Sequence, residues 1–391
     1  MAICFYWADK GVGGVPVEYS ILINNICRDV KVKLFANKDG FLLNHIKDKS
    51  LIDIYFIEDI TIKDLSNLIY PEDVLVITTF HEFIYRCEID CRILFWNVFP
   101  TTLISINKLS LFFNRRACQK MFDVMFDKSG IVFMDRTGVE NAKINQISIR
   151  KKIPYFPVIV EDMPCKYTPS ILLEKLLRIV YVGRAINWKV FPMLKIIKDI
   201  EKTEFVNKIQ ITIITDNKIN FKHLLGYDSD LKIIFVENLT RSELNSYLLH
   251  NCDLYIGMGT SCLDAAKMGI PSVLADYSYS PFPDNYRYTW LYNTNGYCLA
   301  DLAEKKQISP YDFYLRDLLD DIFIKGISLS TYSEKSYLYV KSKHSIENVR
   351  TLFIDYCQNT HLKTSDLQDN TPLRRKEWWL ILKGLQKMFS K

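Results

Sequence analysis

The sequence predicts an α/β protein with two doubly wound, Rossmann-like domains in tandem, followed by C-terminal helices. The chain has 391 residues, which is about twice the usual size of one domain. Short apolar runs of strand length alternate with amphipathic stretches along most of it. Prolines from Pro154 to Pro169 interrupt this alternation, because proline continues neither a helix nor a central strand. We therefore place the domain boundary there.

The composition is that of a globular protein, since 49% of the residues are hydrophobic and 24% are charged. Lysine and arginine exceed aspartate and glutamate by 50 to 45, a surplus too small to indicate nucleic-acid binding. The 10 cysteines form no Cys-x-x-Cys pair, and the first residues do not resemble a secretory leader, which favours reduced thiols and a cytoplasmic location. No apolar run reaches the roughly 18 residues that span a bilayer.

The first domain is predicted over residues 1–165. Its predicted strands are short and rich in Ile, Val and Phe, which is typical of parallel strands buried on both faces. They are Ile3–Trp7, Val30–Phe35, Asp53–Ile57, Val74–Thr78, Ile93–Phe95 and Ile131–Met134.

A glycine loop with Gly13 and Gly14 follows the first predicted strand and precedes a helix. A dinucleotide-binding fingerprint would need a third glycine where Pro16 stands, so the loop does not favour NAD. A simple tight turn is the alternative interpretation.

Candidate acid–base residues end other strands of this domain. His81 and Glu82 come after Val74–Thr78, and Asp135 comes after the last predicted strand. Such side chains could activate or orient an acceptor hydroxyl if they reach it by hydrogen bond. Solvated loop residues at these positions are the alternative. The segment 96–100 ends the preceding strand and is a similar candidate for lining the acceptor side.

The second domain is predicted over residues 170–330, with the same alternation of strands and helices. Its predicted strands are Ile179–Val182, Ile209–Thr215, Lys232–Val236, Leu254–Ile256 and Ser272–Ala275, and its clearest helices are Val190–Glu201 and Arg241–His250.

Two strand ends of this domain predict an anion site. After Leu254–Ile256 the chain has Gly257 and Gly259 and then a helix that begins at Thr260 or Ser261, and the free amides of a helix start attract phosphate. Arg184 and Lys189 follow Ile179–Val182, and a guanidinium with an ammonium can hold a diphosphate. An ordinary strand–helix turn with surface charges is the alternative.

Together these residues resemble the nucleotide-sugar domain of GT-B-fold glycosyltransferases, and in particular the large retaining family, family 4-like. The resemblance covers about 179–275, with a Gly-Arg…Lys pattern, a glycine/serine turn, an acidic residue before Ala-Ala, and Gly-x-Pro. The matching positions are Gly183, Arg184, Lys189, Ser242, Glu243, Leu244, Gly259, Thr260, Ser261, Asp264, Ala265, Ala266, Gly269 and Pro271.

The resemblance implies a role for each part of the site. Arg184 and Lys189 would contact the donor diphosphate, the amides of 259–261 would support it, and Asp264 would accept from ribose hydroxyls. Gly13 and Gly14 would face the donor across the cleft. Two positions depart from the family: Ile256 stands where its first acidic residue is expected, and the second acidic residue is Asp264 rather than glutamate.

We therefore expect a cytoplasmic glycosyltransferase that moves a sugar from a nucleotide-diphosphate sugar to a growing, lipid-linked glycan of the cell surface. No cofactor and no metal are predicted, since fixed cations and amides supply the charge. Asp228 and Asp230 read as a turn, and His81, Cys87 and Cys91 lack a fourth zinc ligand. A GT-B-like sugar-nucleotide epimerase and a non-catalytic partner of another transferase are the alternatives.

The C-terminal region is predicted as a returning helix over 331–360, then a linker and a basic amphipathic tail helix within 361–391. Residues 373–391 place lysines opposite an apolar face with Trp378, which suits an anionic membrane surface at the inner face of the cell membrane. Packing of this face on the first domain, or self-association, is the alternative.

Overall fold

The computed structural model describes residues 1–11, 13–79, 89–99, 115–144, 147–149, 151–161 and 176–370. The chain divides into two compact units: Met1–Ile159 together with the chain from Ile346, and Val160–Ser345. Each unit contains a six-stranded sheet. Within the described ranges, none of the helices combines the length and the apolar composition that a membrane crossing needs.

The sheet of the first unit is parallel throughout its described pairings. Its strands are β1 (Ile3–Trp7), β2 (Val32–Ala36), β3 (Asp53–Phe56), β4 (Val74–Ile77), β5 (Arg92–Asn97) and β6 (Ile131–Phe133), in the order β3-β2-β1-β4-β5-β6. The helices between them are α1 (Gly14–Ile26), α2 (Phe41–Asn44), α3 (Ile62–Leu68), α4 (Arg115–Asp127) and α5 (Arg136–Ile144). Ile3 and Phe5 belong to one buried layer and Cys4 to the other, so both faces of β1 are covered.

The second unit repeats this plan with one added edge strand. Its strands are β7 (Leu177–Val182), β8 (Ile209–Thr215), β9 (Lys232–Glu237), β10 (Leu254–Gly257), β11 (Ser272–Leu274) and β12 (Thr289–Trp290), in the order β12-β11-β10-β7-β8-β9. Its helices are α6 (Asn187–Glu201), α7 (Lys218–Leu225), α8 (Arg241–Asn251), α9 (Thr260–Lys267), α10 (Leu315–Phe323) and α11 (Leu329–Lys343). Only β12 runs antiparallel among the described pairings of this sheet.

The predicted α/β class with two doubly wound sheets is confirmed, and each predicted strand is present with its ends shifted by a few residues at most. The sequence did not predict β12, which has two residues and therefore shows no periodicity.

The single helix predicted over 331–360 is wrong, because the chain forms two helices there: α11, and α12 (Ile346–Asn359) in the first unit. The break has a local cause. Ser345 pairs with Val160 as an isolated bridge, and the Val160 amide donates to the His344 carbonyl over 2.8 Å. A continuous helix would use that carbonyl internally.

A further helix, α13 (Thr364–Asn370), lies where the sequence predicted a linker. Its first residue is tied to the segment before β5, because the Thr364 amide donates to the Cys91 carbonyl and its hydroxyl to the Ile89 carbonyl. The predicted tail helix over 373–391 lies outside the described residues.

Strand order in the second unit reverses between β7 and β10, since β7 continues to β8 on one side and β10 continues to β11 on the other. At such a point the loops after the two strands diverge and leave a crevice at the carboxyl edge of the sheet.

Candidate functional site

A cavity of about 480 Å³ lies at the carboxyl ends of β7, β8, β9 and β10 in the second unit. It is lined by the loops that follow these four strands, so the strand-order reversal places the cavity where open α/β sheets bind ligands. Five predicted site residues line it: Arg184, Lys189, Gly259, Thr260 and Ser261.

The loop between β7 and α6 is held in place by side chains from neighbouring elements. The Ala185 amide donates to the Asp216 carboxylate over 2.7 Å, and the Asn220 side-chain amide donates to the Ala185 carbonyl over 2.8 Å. A Cβ at Gly183 would lie 2.7 Å from a ring carbon of Tyr181, so only glycine fits there. The position of Arg184 is therefore fixed at the backbone.

Arg184 is exposed, and it forms no ion pair within 4 Å among the described residues. Its charge nevertheless acts on the cavity. Arg184 helps to lower the pKa of the Asp216 carboxyl, although the backbone hydrogen bond from Ala185 is the larger cause. A guanidinium without a carboxylate partner is available to an anionic ligand.

Lys189 is partly buried, and burial is the main cause that lowers its pKa to about 8, with the charge of Arg184 as the second cause. Its ammonium lies 4.8 Å from the centre of the Trp188 ring. Among the described carboxylates none forms an ion pair with it. A desolvated cation beside another cation gains most from a negatively charged ligand.

Gly259 directly precedes α9 and has φ +70° and ψ −154°, a backbone conformation that is essentially limited to glycine. A Cβ there would meet no atom within 4 Å, so the constraint is conformational and not steric. The amides of Thr260 and Ser261 are the first of the helix and have no carbonyl one turn earlier to receive them. They are two of the three amide donors that the sequence predicted for an anion. The third is not free, because the Gly259 amide donates to the Leu299 carbonyl over 3.1 Å.

The Ser261 hydroxyl is already engaged. It donates to the Met258 carbonyl over 3.0 Å and accepts from the Tyr255 hydroxyl over 2.6 Å. Its side chain therefore fixes the turn, and its backbone amide is the group left for a ligand.

Asp264 lies one turn further along α9 and does not line the cavity. Its carboxylate is 2.8 Å from the Lys267 ammonium and 3.6 Å from the Arg241 guanidinium. The ribose contact implied by the resemblance stays a prediction. Ile256, at the position of the missing acid, is fully buried in the core of the second unit.

Trp188, Asp216 and Asn238 are among the residues of the cavity wall that were not predicted. Trp188 directly precedes Lys189, and Asp216 directly follows β8, so their positions beside predicted elements were available as signals. Asn238 adopts φ +55°, which is uncommon outside glycine and is not readable from one sequence.

In the first unit, Gly13 precedes α1 in an extended conformation and Gly14 is its first residue, with open space around a Cβ there. Asp135 accepts from the amides of Thr137 and Gly138 over 2.8 and 3.3 Å, so it caps α5. Such a cap explains an aspartate at this position without chemistry.

His81, Glu82 and Cys87 lie outside the described residues. Cys91 is buried, and burial raises the pKa of its thiol to about 12. Asp228 and Asp230 lie in the connection between α7 and β9, before the strand and not after it. In the part of the chain that the structure describes, no three His, Cys, Asp or Glu side chains come together as a metal site.

Neither a protein-family model nor a curated protein matches this sequence. Solved structures match almost its whole length. A glycosyltransferase from Rickettsia africae is 14% identical with a TM-score of 0.56, over 92% of this chain and 98% of that chain. The lipopolysaccharide outer core galactosyltransferase WaaB is 13% identical with a TM-score of 0.53, over 91% and 99%.

A third structure, described as trehalose-6-phosphate from E. coli bound with UDP-2-fluoro glucose, is 14% identical with a TM-score of 0.53, over 93% of this chain and 99% of that chain. Identities this low compare architecture and not chemistry. The agreement covers both sheets and nearly all of each chain, and it matches the resemblance found in the sequence. The chain therefore has the GT-B fold.

Proposed function

We propose that this protein is a glycosyltransferase that moves a sugar from a nucleoside diphosphate sugar to an acceptor glycan. The observation that carries the proposal is the cavity at the β7–β10 strand-order reversal, where Arg184, Lys189 and the start of α9 meet. Two structural neighbours agree with it: WaaB is a galactosyltransferase, and the E. coli protein holds a UDP sugar. UDP is therefore the first nucleotide to test.

The chemistry follows from where charge develops. When the bond between sugar and diphosphate breaks, negative charge accumulates on the departing phosphate oxygens, and groups fixed around them lower the barrier. Arg184 offers a planar fork of donors and Lys189 a point charge. The first amides of α9 add donors that need not reorient, because Gly259 and the Ser261 side chain fix the turn.

Finer features of the reaction are inferred from the sequence. The resemblance to the family 4-like enzymes favours retention at the anomeric carbon. The amphipathic residues 373–391 favour an acceptor presented on a lipid at a membrane surface. Gly13, Gly14, His81, Glu82 and Asp135 stay proposed for the acceptor and donor sides, and Asp264 for the ribose.

Calorimetric titration with UDP, GDP and ADP tests the proposal. Wild-type protein should bind at least one of them, and Arg184→Ala or Lys189→Ala should weaken that binding about ten- to hundredfold, the worth of a charge-assisted hydrogen bond. Exposed cations elsewhere in the second unit provide matched controls, Arg316→Ala and Lys202→Ala. Wild-type protein that binds no nucleotide, or binding that both cavity variants leave unchanged, refutes the role of the cavity.

The product formed from the donor separates transfer from epimerisation. A transferase should consume the sugar nucleotide only with an acceptor present, apart from slow hydrolysis. An epimerase would convert the donor alone into an isomeric sugar nucleotide, which chromatography resolves.

A further inference from the structure

Three aromatic side chains of the second unit stand in a row beside the cavity. Trp188 lines the cavity and packs edge to face against Tyr277, with the ring centres 6.2 Å apart, and Tyr277 packs edge to face against Tyr279, with the centres 6.0 Å apart. Tyr279 is 69% exposed. We call these three residues the aromatic platform. Its continuity with the cavity distinguishes it from single aromatic residues on a surface, which are common.

The platform begins where the cavity holds its cation, because the Lys189 ammonium lies 4.8 Å from the Trp188 ring centre. In a nucleoside diphosphate sugar the sugar is bonded directly to the second phosphate. If Lys189 and Arg184 bind that diphosphate, the sugar ring lies next to the groups that hold it. Trp188 is the aromatic residue among those that line the cavity, and Tyr277 is the ring in edge contact with it.

The segment that carries both tyrosines is braced. The Tyr277 amide donates to the Asp301 carbonyl over 3.0 Å. The Glu304 carboxylate accepts from the hydroxyls of Ser278 and Ser280 over 2.5 and 2.8 Å. A ligand that stacks on these rings therefore does not have to order the loop first, which lowers the cost of binding.

The wall has polar side chains such as Asn238 and Thr260, and an aromatic face adds an apolar contact for a neutral ring. Asp216 is the one carboxylate among the described lining residues, and it already accepts from the Ala185 amide. A pyranose presents C–H groups on its faces, and these carry partial positive charge that the electron-rich face of an aromatic ring attracts.

We propose that the aromatic platform binds the pyranose ring of the nucleoside diphosphate sugar by stacking. This inference rests on the proposed function, because it assumes that the diphosphate occupies the cavity. It assigns the sugar-binding role to Trp188 and Tyr277, with Tyr279 packing against Tyr277.

Affinities of matched ligands test the platform. The probes are UDP, GDP and ADP with UDP-glucose, UDP-galactose, GDP-mannose and ADP-glucose, and the pair that wild-type protein binds most tightly is carried forward. Tyr277→Ala should weaken the sugar nucleotide about three- to tenfold, the range of an aromatic contact, and leave the free nucleotide unchanged. Tyr277→Phe should keep both affinities. Tyr311→Ala, at a 65% exposed tyrosine of the same unit that is not part of the aromatic platform, is the control.

Each other outcome overturns the inference in a recognisable way. If Tyr277→Ala leaves both affinities unchanged, stacking on the donor sugar is excluded and the proposed function stays intact. Equal losses for both ligands mean that Tyr277 supports the cavity and not the sugar. If Tyr277→Ala slows sugar transfer without changing donor affinity, the aromatic platform binds the acceptor glycan and not the donor sugar. Wild-type protein that binds no nucleotide removes the proposed function and the platform together.

Discussion

Replacing Lys189 with methionine should stabilise the protein at neutral pH while removing nucleotide binding. Burial and the nearby Arg184 charge lower the Lys189 pKa from the ordinary lysine value of 10.5 to about 8. At pH 7 Lys189 is protonated in both the folded and the unfolded state, but the folded state binds this proton more weakly. Since one pKa unit corresponds to about 1.4 kcal/mol, the folded protein is destabilised by up to about 3 kcal/mol through this group alone. Methionine keeps the unbranched apolar stem beside Trp188 and removes the charge.

The sign of the pH dependence follows from the same values. Below pH 8 both states are protonated at Lys189, so the destabilisation is complete; above pH 10.5 both are neutral, and it vanishes. The advantage of Lys189→Met in the free energy of unfolding should thus be about 3 kcal/mol at pH 7 and below about 1 kcal/mol at pH 10. Every other titrating group contributes equally to both proteins, so their difference isolates Lys189.

Urea unfolding of wild type, Lys189→Met and Lys202→Met at both pH values measures the effect. Lys202 is exposed beyond the end of α6, and its replacement should change little at either pH. A Lys189→Met advantage that is the same at pH 7 and pH 10 would show that packing, and not the charge, is responsible. A variant less stable than wild type at pH 7 would mean that the ammonium gains more from the Trp188 ring than burial costs it.

Three further outcomes follow from the site. Nucleotide binding should weaken as the pH rises above about 8, because Lys189 must be protonated to bind phosphate and a bound anion moves that pKa upward; isothermal titration between pH 7 and pH 9.5 measures it. Gly259→Ala should cost about 1–3 kcal/mol of stability and abolish nucleotide binding, whereas Gly326→Ala, at φ +66° outside the cavity, should cost stability alone. Truncation before Leu373 should release the protein from anionic vesicles in a salt-dependent way, and equal sedimentation of both forms would contradict the membrane contact.

The strands could be predicted because their signal is local. Apolar runs such as Ile209–Thr215 are buried on both faces of a parallel sheet, and the structure gives that strand the predicted bounds. The returning chain could not be predicted in the same way. Whether one helix or two cover 331–360 depends on the Val160–Ser345 bridge, a contact between residues far apart in sequence.

The site was predictable to the extent that it depends on strand ends. Arg184, Lys189 and the turn at Gly259 follow strands that lie side by side, so the parallel topology brings them to one cavity. Asp216 follows β8 and lines the cavity because its carboxylate binds the loop after β7. Asn238 lines the cavity in a left-handed backbone conformation. Contacts between loops and backbone conformations of this kind are set by tertiary structure, and sequence periodicity carries no signal for them.

One device recurs on both sides of the strand-order reversal. Tyr181 of β7 lies two residues before Gly183, and Tyr255 of β10 lies two residues before Gly257. In both cases the tyrosine ring occupies the space that a Cβ on the glycine would need. The two hydroxyls then reach the first turn of the following helix.

The Tyr181 hydroxyl donates to the Lys189 carbonyl over 2.6 Å, and that of Tyr255 donates to the Ser261 hydroxyl over 2.6 Å. Burial raises the pKa of both phenols, so they remain donors at any physiological pH. Each rigid ring thus fixes the start of a helix relative to the strand before it. Because the cation and the amides are carried by those two helix starts, their spacing is set before any ligand arrives, which is the condition for stabilising charge without reorganisation.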